Sequence, residues 1–393
     1  MGTVIKNVLW RRETVALASI TGVLVVIFGV LSTVPNLAAP IELETASSAS
    51  SLRVIYENPV NAPYKILTYI ATSISPSVRM VRIVSFLYLL VTAYAMFYVL
   101  KHWHKTQTAI IVTAAFSTNS IVMATGRLGA PLITVFSWFI FSGLLLWQLH
   151  TRSNKAVPIV LLIALASLFY TPGVLWFFLI VSFVYWDRYK EFFKHVKLKA
   201  LFIGGALSLI VITPLILGFI RDTETLRTWL LLPQNFVWND IWRSALAVPS
   251  AFIYRMPEAP LLNIGRLPIF DVASGVLFLI GLNAYRRKIK LDRTRIMIGS
   301  ALVGMILGAL GETIIAVILL LPFAYSIIAA GIEFLLDEWH RVFPRNPIAR
   351  SFGIILITVA VSFSSYYHLT RFLVVWPQTP ETKMIYKEPR ILD

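Results

Sequence analysis

The sequence predicts an all-α polytopic membrane protein with about eleven spans, and three observations carry that prediction. Of its 393 residues, 58% are hydrophobic and only 14% are charged, against about 25% charged in an ordinary soluble domain. Several apolar runs reach the ~20 residues that a helix needs to cross a bilayer. The alternating pattern of a membrane barrel is absent, and unpaired backbone is not tolerated in lipid, so helices are the expected spanning form.

The predicted spans are 14–34, 79–100, 107–126, 130–149, 156–170, 173–186, 200–219, 271–285, 296–311, 313–335 and 351–372. The fifth and sixth are short and meet at Tyr170-Thr171-Pro172-Gly173, a turn signal that could also kink one longer helix. Lys6, Arg11 and Arg12 precede the first span and set the N-terminus on the cytoplasmic side. The predicted inner loops then hold about 21 Lys and Arg against 7 acids, and the outer side about 14 against 12. That division absorbs the net charge of +16. The basic runs Asp187–Lys199 and Tyr285–Arg295 are read as topology signals touching lipid headgroups, not as nucleic-acid contacts. The expected location is the plasma (cytoplasmic) membrane, multi-pass, with the C-terminus outside. With no cysteine, disulfides and thiol chemistry are excluded.

In this organisation residues 1–376 form one transmembrane domain, and 377–393 are a short outer tail. Two outer segments are too long to be simple connectors. The first, 35–78, opens with the acidic stretch "PIELETASS", read as a loop. Two amphipathic surface helices follow, around Leu52, Ile55 and Tyr56 and around Ile66, Leu67 and Ile70, with Asn58–Pro63 as the turn between them. The second, 221–270, carries Trp229, Trp238 and Trp242 and is a candidate lid.

Ionisable residues near the span ends gather on the outer side: Glu42, Glu44, Arg79, Arg82, Arg127, Glu312, His368 and Arg371, with Glu57 and Lys65 in the first outer segment. Charge at membrane depth is costly, so such residues warrant a functional reading. Apart from Lys65, the basic ones ahead of the tail are nearly all Arg, whose planar fork suits phosphate oxygens. Carboxylates with arginines at an outer lipid surface fit glycosyl transfer from a polyprenyl-phosphate sugar. A carboxylate, Glu44 or Glu42, would be the general base. Arg82, Arg79, Arg127 and Lys65 would hold the phosphate, with Glu57, Glu312 and His368 as further cavity candidates. No His-rich, Asp-x-Asp or Cys metal motif occurs. Glu42 and Glu44 at i and i+2 leave a divalent cation as an option that the ligand count does not favour, and no cofactor is expected.

The layout resembles the GT-C-type membrane glycosyltransferases, especially the protein O-mannosyltransferase and aminoarabinose transferase group (glycosyltransferase family 39-like). The stretches that carry the resemblance are "IELETAS", the second span with Arg82, "ATGRLGAPLITVFSWFIFSGLLLW" and "LLPFAYSIIAAGIEFL". The resemblance implies a GT-C-like fold and a catalytic acid just after the first span. It also implies a polyprenyl-phosphate-linked sugar donor, and a protein, lipid or glycan acceptor. Glu44 matches the second acid of the family pair, Leu43 stands where the first would be, and Glu42 lies one residue earlier. "ETII" replaces a basic-aromatic pair of the family. Two other readings stand beside it: a non-catalytic GT-C-like scaffold, and a lipid or sugar transporter or flippase. The second lacks midplane charge and a visible repeat.

Overall fold

The computed structural model describes residues 2–31, 35, 37–141, 157–184, 186, 190, 198–233, 241–286 and 289–387, with side chains from residue 14 onward apart from 30, 31, 157, 158, 198–200 and 292. Most of Asp187–Lys199, the second half of the fourth predicted span, residues 234–240 with Trp238, and the last six residues lie outside them. The described residues are helical, with no β-strand among them. In chain order the first part contains α1 (Gly2–Leu31), α2 (Pro40–Ser48), α3 (Leu52–Glu57), α4 (Ala62–Ile74), α5 (Val78–Trp103), α6 (Thr106–Thr118) and α7 (Ser120–Arg127). After a 3-10 turn (Pro131–Phe136) come α8 (Val157–Leu168), α9 (Val174–Val184), α10 (Leu198–Arg221), α11 (Thr223–Trp229) and α12 (Ile241–Ile253). The last part contains α13 (Val272–Arg286), α14 (Asp292–Ala309), α15 (Thr313–Val342), α16 (Pro347–Thr370) and the short α17 (Pro380–Ile385).

Four helical stretches are long and apolar enough to cross a membrane: Val78–Trp103, Leu201–Arg221, Thr313–Val342 and Pro347–Gln378. A fifth candidate is α6 with α7, which bend by 60° at their junction. The remaining apolar helices run 10–17 described residues. The chain therefore has the build of a helical membrane protein, with four or five spans of full length where the sequence predicts about eleven. That count covers the described residues, and two of the predicted spans are irregular within them. The predicted span 107–126 breaks at Asn119, whose side chain accepts the Ile121 and Val122 N–H groups and so caps a new helix. At Pro131 the chain enters a 3-10 turn in place of a regular span start.

Segment 35–78 also differs from its prediction. The acidic stretch is a helix, α2, not a loop. Pro40 sits in its first turn, and the Glu42 carboxylate accepts the Ala39 N–H at 3.0 Å, closing the helix start. On α4 the apolar residues Ile66, Leu67 and Ile70 are exposed, while Tyr64, Lys65 and Thr68 face the protein. An outward apolar stripe is what a helix lying on a bilayer surface needs. The candidate lid 221–270 is docked in its described parts. Trp229 is buried and donates from its indole to the Phe169 carbonyl at 2.6 Å. The Ile269 and Phe270 N–H groups donate to the carbonyls of Ala251 and Phe252.

The core centres on α15, the most enclosed of the candidate spans. Tyr325 on α15 meets Phe116 and Phe270 edge-on at 5.6 and 5.9 Å, a geometry worth about 0.5–1.5 kcal/mol per pair beyond area burial. α13 crosses α15 with backbones in near contact. A Cβ on Gly331 would lie 2.1 Å from the Leu277 carbonyl, and one on Gly281 would lie 2.0 Å from that of Ile327. Small residues permit this approach, and lipid supplies no competing apolar gain. Gly275 on the same helix meets nothing within 4 Å.

Gly281→Ala and Gly331→Ala are therefore expected to destabilise the detergent-purified protein by roughly 1–3 kcal/mol each, read as a lower thermal midpoint. Gly275→Ala should be neutral or stabilising by up to about 1 kcal/mol. A uniform response of the three would remove the close crossing from the account.

Candidate functional site

Arg82 lies one turn into α5, and its side chain is 1% exposed. An isolated guanidinium there would be prohibitive, so its partners define the site. Its Nε donates to Glu42 Oε1 at 2.8 Å and its Nη2 to Glu42 Oε2 at 2.7 Å, a bidentate fork. Nη2 also reaches the Leu37 carbonyl at 2.9 Å, and Nη1 the Pro35 carbonyl at 3.4 Å. Glu42 is fully buried and takes two more donors, the Gly129 N–H at 3.1 Å and the Ala39 N–H. Four donors fill the acceptor capacity of a carboxylate. Gly129 fits because a Cβ there would meet Val81 at 3.1 Å and the Arg82 nitrogen at 3.3 Å.

Burial would raise the Glu42 carboxyl. The Arg82 hydrogen bond, the charges of Arg127 and Arg82 and the Ala39 N–H outweigh it and hold the group below its usual value of 4.5. Arg127 closes α7. It donates to the Tyr386 hydroxyl at 2.7 Å and to the Pro35 carbonyl at 3.2 Å. Its guanidinium also lies 4.6 Å from the Tyr386 ring and 5.3 Å from the Trp376 ring, within cation–π range. Trp376 stacks on Phe372 and anchors its indole on the Pro260 carbonyl at 2.8 Å. The C-terminal segment is thus folded back over Arg127.

Glu42, Arg82 and Arg127 come together, and all three are enclosed by protein. Beside them, the Tyr64 hydroxyl bonds to Ser85 Oγ at 2.7 Å, and Ser85 reaches the Leu128 carbonyl at 2.6 Å. The Tyr64 side chain also lines a mostly apolar cavity of about 320 Å³ between α4, α5, the 3-10 turn and α8. The exposed Leu67, Leu87 and Val91 are on its lining, so it opens on the outer flank of the bundle.

The other candidate residues stand apart from this cluster. Glu44, the family-position acid, is exposed on the opposite side of α2 from Glu42, and Arg79 is exposed at the start of α5. Glu57 pairs with Arg53 one helical turn away, at 3.0 Å and in the open. Lys65 is buried and donates to the Asn58 carbonyl at 2.8 Å. Burial pushes its ammonium down to about 8 against the opposing pull of Glu44. Glu312 is half-buried at the start of α15 without capping it, and burial raises its carboxyl. His368 belongs to a second buried polar network. Its Nδ1 is 3.2 Å from Ser120 Oγ and its Nε2 3.9 Å from Asp271, which accepts from Ser364 at 2.8 Å. Among the described residues no three His, Cys, Asp or Glu side chains gather as a metal site.

The sequence reading missed Gly129, Tyr64, Trp376 and Tyr386. Gly129 lies inside the quoted "GRLGAP", but no local signal marks the two tail aromatics as partners of Arg127. No protein family matches this chain, and no curated protein does either.

Truncating one partner of the buried fork, by Glu42→Ala or Arg82→Ala, should destabilise the protein by about 3–5 kcal/mol. A paired Glu42→Leu/Arg82→Met change should recover part of that. The pH dependence has a definite sign. The folded-state value of Glu42 is depressed, so its contribution is complete above the ordinary 4.5 and is lost as pH falls below it. Glu42→Gln should flatten that acid limb in a thermal-shift series.

Proposed function

We propose that the chain is a GT-C-like membrane glycosyltransferase of about eleven spans. In this reading it moves a sugar from a polyprenyl-phosphate donor to an acceptor hydroxyl at the outer face of the plasma membrane. The observation that carries it is the convergence of Glu42, Arg82 and Arg127, from three separate stretches, at one end of a helical bundle. The neighbouring cavity, walled by Tyr64 and open on the flank, supports the lipid part of the reading, since a polyprenyl chain needs an apolar groove reached sideways.

The arrangement supports an exchange mechanism. The donor phosphate displaces Glu42 from the Arg82 fork, since both are bidentate oxyanions. Released from Arg82, Glu42 regains basicity and accepts the proton of the acceptor hydroxyl. The acceptor oxygen forms a bond to the anomeric carbon as the bond from that carbon to the phosphate oxygen breaks. The electron pair leaves with the polyprenyl phosphate, whose charge Arg82 and Arg127 stabilise. Glu44, exposed on α2, has no part in these steps.

One observation favours a second reading, a non-catalytic scaffold: Glu42 already accepts four hydrogen bonds and is enclosed. A lipid-linked sugar transfer assay in proteoliposomes, run beside donor binding, separates the two. Catalysis predicts that Glu42→Gln lowers transfer about 10²–10⁴-fold while donor binding persists, and that Arg127→Ala weakens donor binding. Full transfer activity in both Glu42→Gln and Glu44→Gln would sink the general-base role. Loss of donor binding together with thermal stability in Glu42→Gln would favour the scaffold.

A further inference from the structure

The opposite end of the bundle holds a second built site, independent of the transferase reading. α5 runs from Arg82 to Trp103, about 30 Å at helical rise, and His104 ends it. There a cavity of about 190 Å³ is lined by His104, Tyr285, Arg293, Glu333 and Asp337. Part of this lining has a structural role. Glu333 on α15 faces His104 Nδ1 at 2.9 Å and accepts the Lys105 N–H at 2.6 Å, while the Lys105 ammonium pairs with Asp337 at 2.8 Å. These contacts pin the α5–α6 turn to α15.

They leave two polar atoms over. An ionised carboxylate only accepts, so His104 donates to Glu333 from Nδ1, and in that tautomer Nε2 is left as the acceptor on the cavity side. Among the described residues neither His104 Nε2 nor the Tyr285 hydroxyl has a hydrogen-bond partner. The His104 side chain is 1% exposed and Tyr285 is 6% exposed. Buried polar groups without partners are rare, and here two of them line one cavity. Arg293 adds a planar fork of five donors, of which Nη1 holds the Trp103 carbonyl at 2.8 Å. Asp337 is largely exposed and marks the mouth. The lining thus combines acceptors, His104 Nε2 and Asp337, with donors, Arg293 and the Tyr285 hydroxyl. Tyr285 and Arg293 both belong to the basic run Tyr285–Arg295, a segment suited to headgroup contact.

We propose that this cavity binds a zwitterion carrying a phosphate and a primary ammonium, the chemistry shared by an aminophospholipid headgroup and free phosphoethanolamine. The ammonium donates to His104 Nε2 and Asp337. The phosphate accepts from Arg293 and the Tyr285 hydroxyl.

The test uses the full chain in detergent, with binding followed by native mass spectrometry and by thermal shift. The probes are phosphatidylethanolamine, phosphatidylcholine, phosphatidylglycerol and free phosphoethanolamine. Phosphatidylethanolamine should bind and raise the thermal midpoint. The other two lipids, which lack ammonium N–H donors, should bind at least about tenfold more weakly, as the loss of a charged hydrogen bond implies. Competition by free phosphoethanolamine at matching concentration would identify a soluble ligand of the proposed chemistry, and its failure to compete would identify the lipid. Arg293→Gln should abolish binding. Tyr285→Phe keeps the ring and should weaken binding without lowering the midpoint of the lipid-free protein. Asp337→Asn should narrow the preference over phosphatidylglycerol. Equal binding of the three lipids, undiminished binding in Arg293→Gln, or no binding by any probe, which would mean a cavity filled by water alone, each overturns the proposal.

Discussion

One buried ion pair organises the end of the bundle where the candidate residues meet. The Glu42–Arg82 fork joins the start of α2 to α5, and its remaining lone pairs and N–H groups take in the carbonyls of Pro35 and Leu37, the Ala39 N–H and the turn at Gly129. Such a pair adds little net stability over a well-packed apolar substitute, because removing two charges from water is costly. Its effect is geometric. The same carboxylate that neutralises Arg82 also starts α2, so helix placement and charge placement cannot be varied separately. Gly129 extends this constraint, since a larger residue would part the turn from α5.

Arg127 stands on the other side of the shared Pro35 carbonyl and is held by different means. Its neighbours there include two aromatic faces and a phenol. The two guanidiniums are therefore distinct in chemistry. Arg82 is locked to an oxyanion of the protein, whereas Arg127 meets a neutral hydroxyl that an incoming anion could replace. In the proposed transfer, the first contact would conceal the base until substrate arrives and the second would yield to the phosphate. The His368–Asp271 network has neither character, being a set of hydroxyl and imidazole contacts between α7, α13 and α16.

The membrane class and the helical build were legible, as was the gathering of Glu42, Arg82 and Arg127, because charge in an apolar chain stands out whatever the fold. The choice between Glu42 and Glu44 was not. Read as a loop, "PIELETASS" gives neither acid a direction. As a helix it sets residues two apart on different faces, so only Glu42 points inward. Pro40 and the acid at the third helical position were the available signs of that helix. Hydropathy runs also gave no sign of the break at Asn119 or the 3-10 turn at Pro131, because apolar content is indifferent to both. Tyr386 left no trace, since a tyrosine in a polar tail has no local feature that names a partner far upstream.

That partnership bears on how the protein is made. The Arg127–Tyr386 contact spans 259 residues. At about 5–20 residues per second of synthesis, Tyr386 emerges roughly ten seconds to a minute after Arg127. The Glu42–Arg82 fork, by contrast, needs nothing beyond Gly129. The nascent chain can thus assemble its first few helices around a finished electrostatic clasp while the aromatic cover is still untranslated. Closure over Arg127 by Tyr386 is then a late event in synthesis, separated from the clasp by the whole length of chain between them.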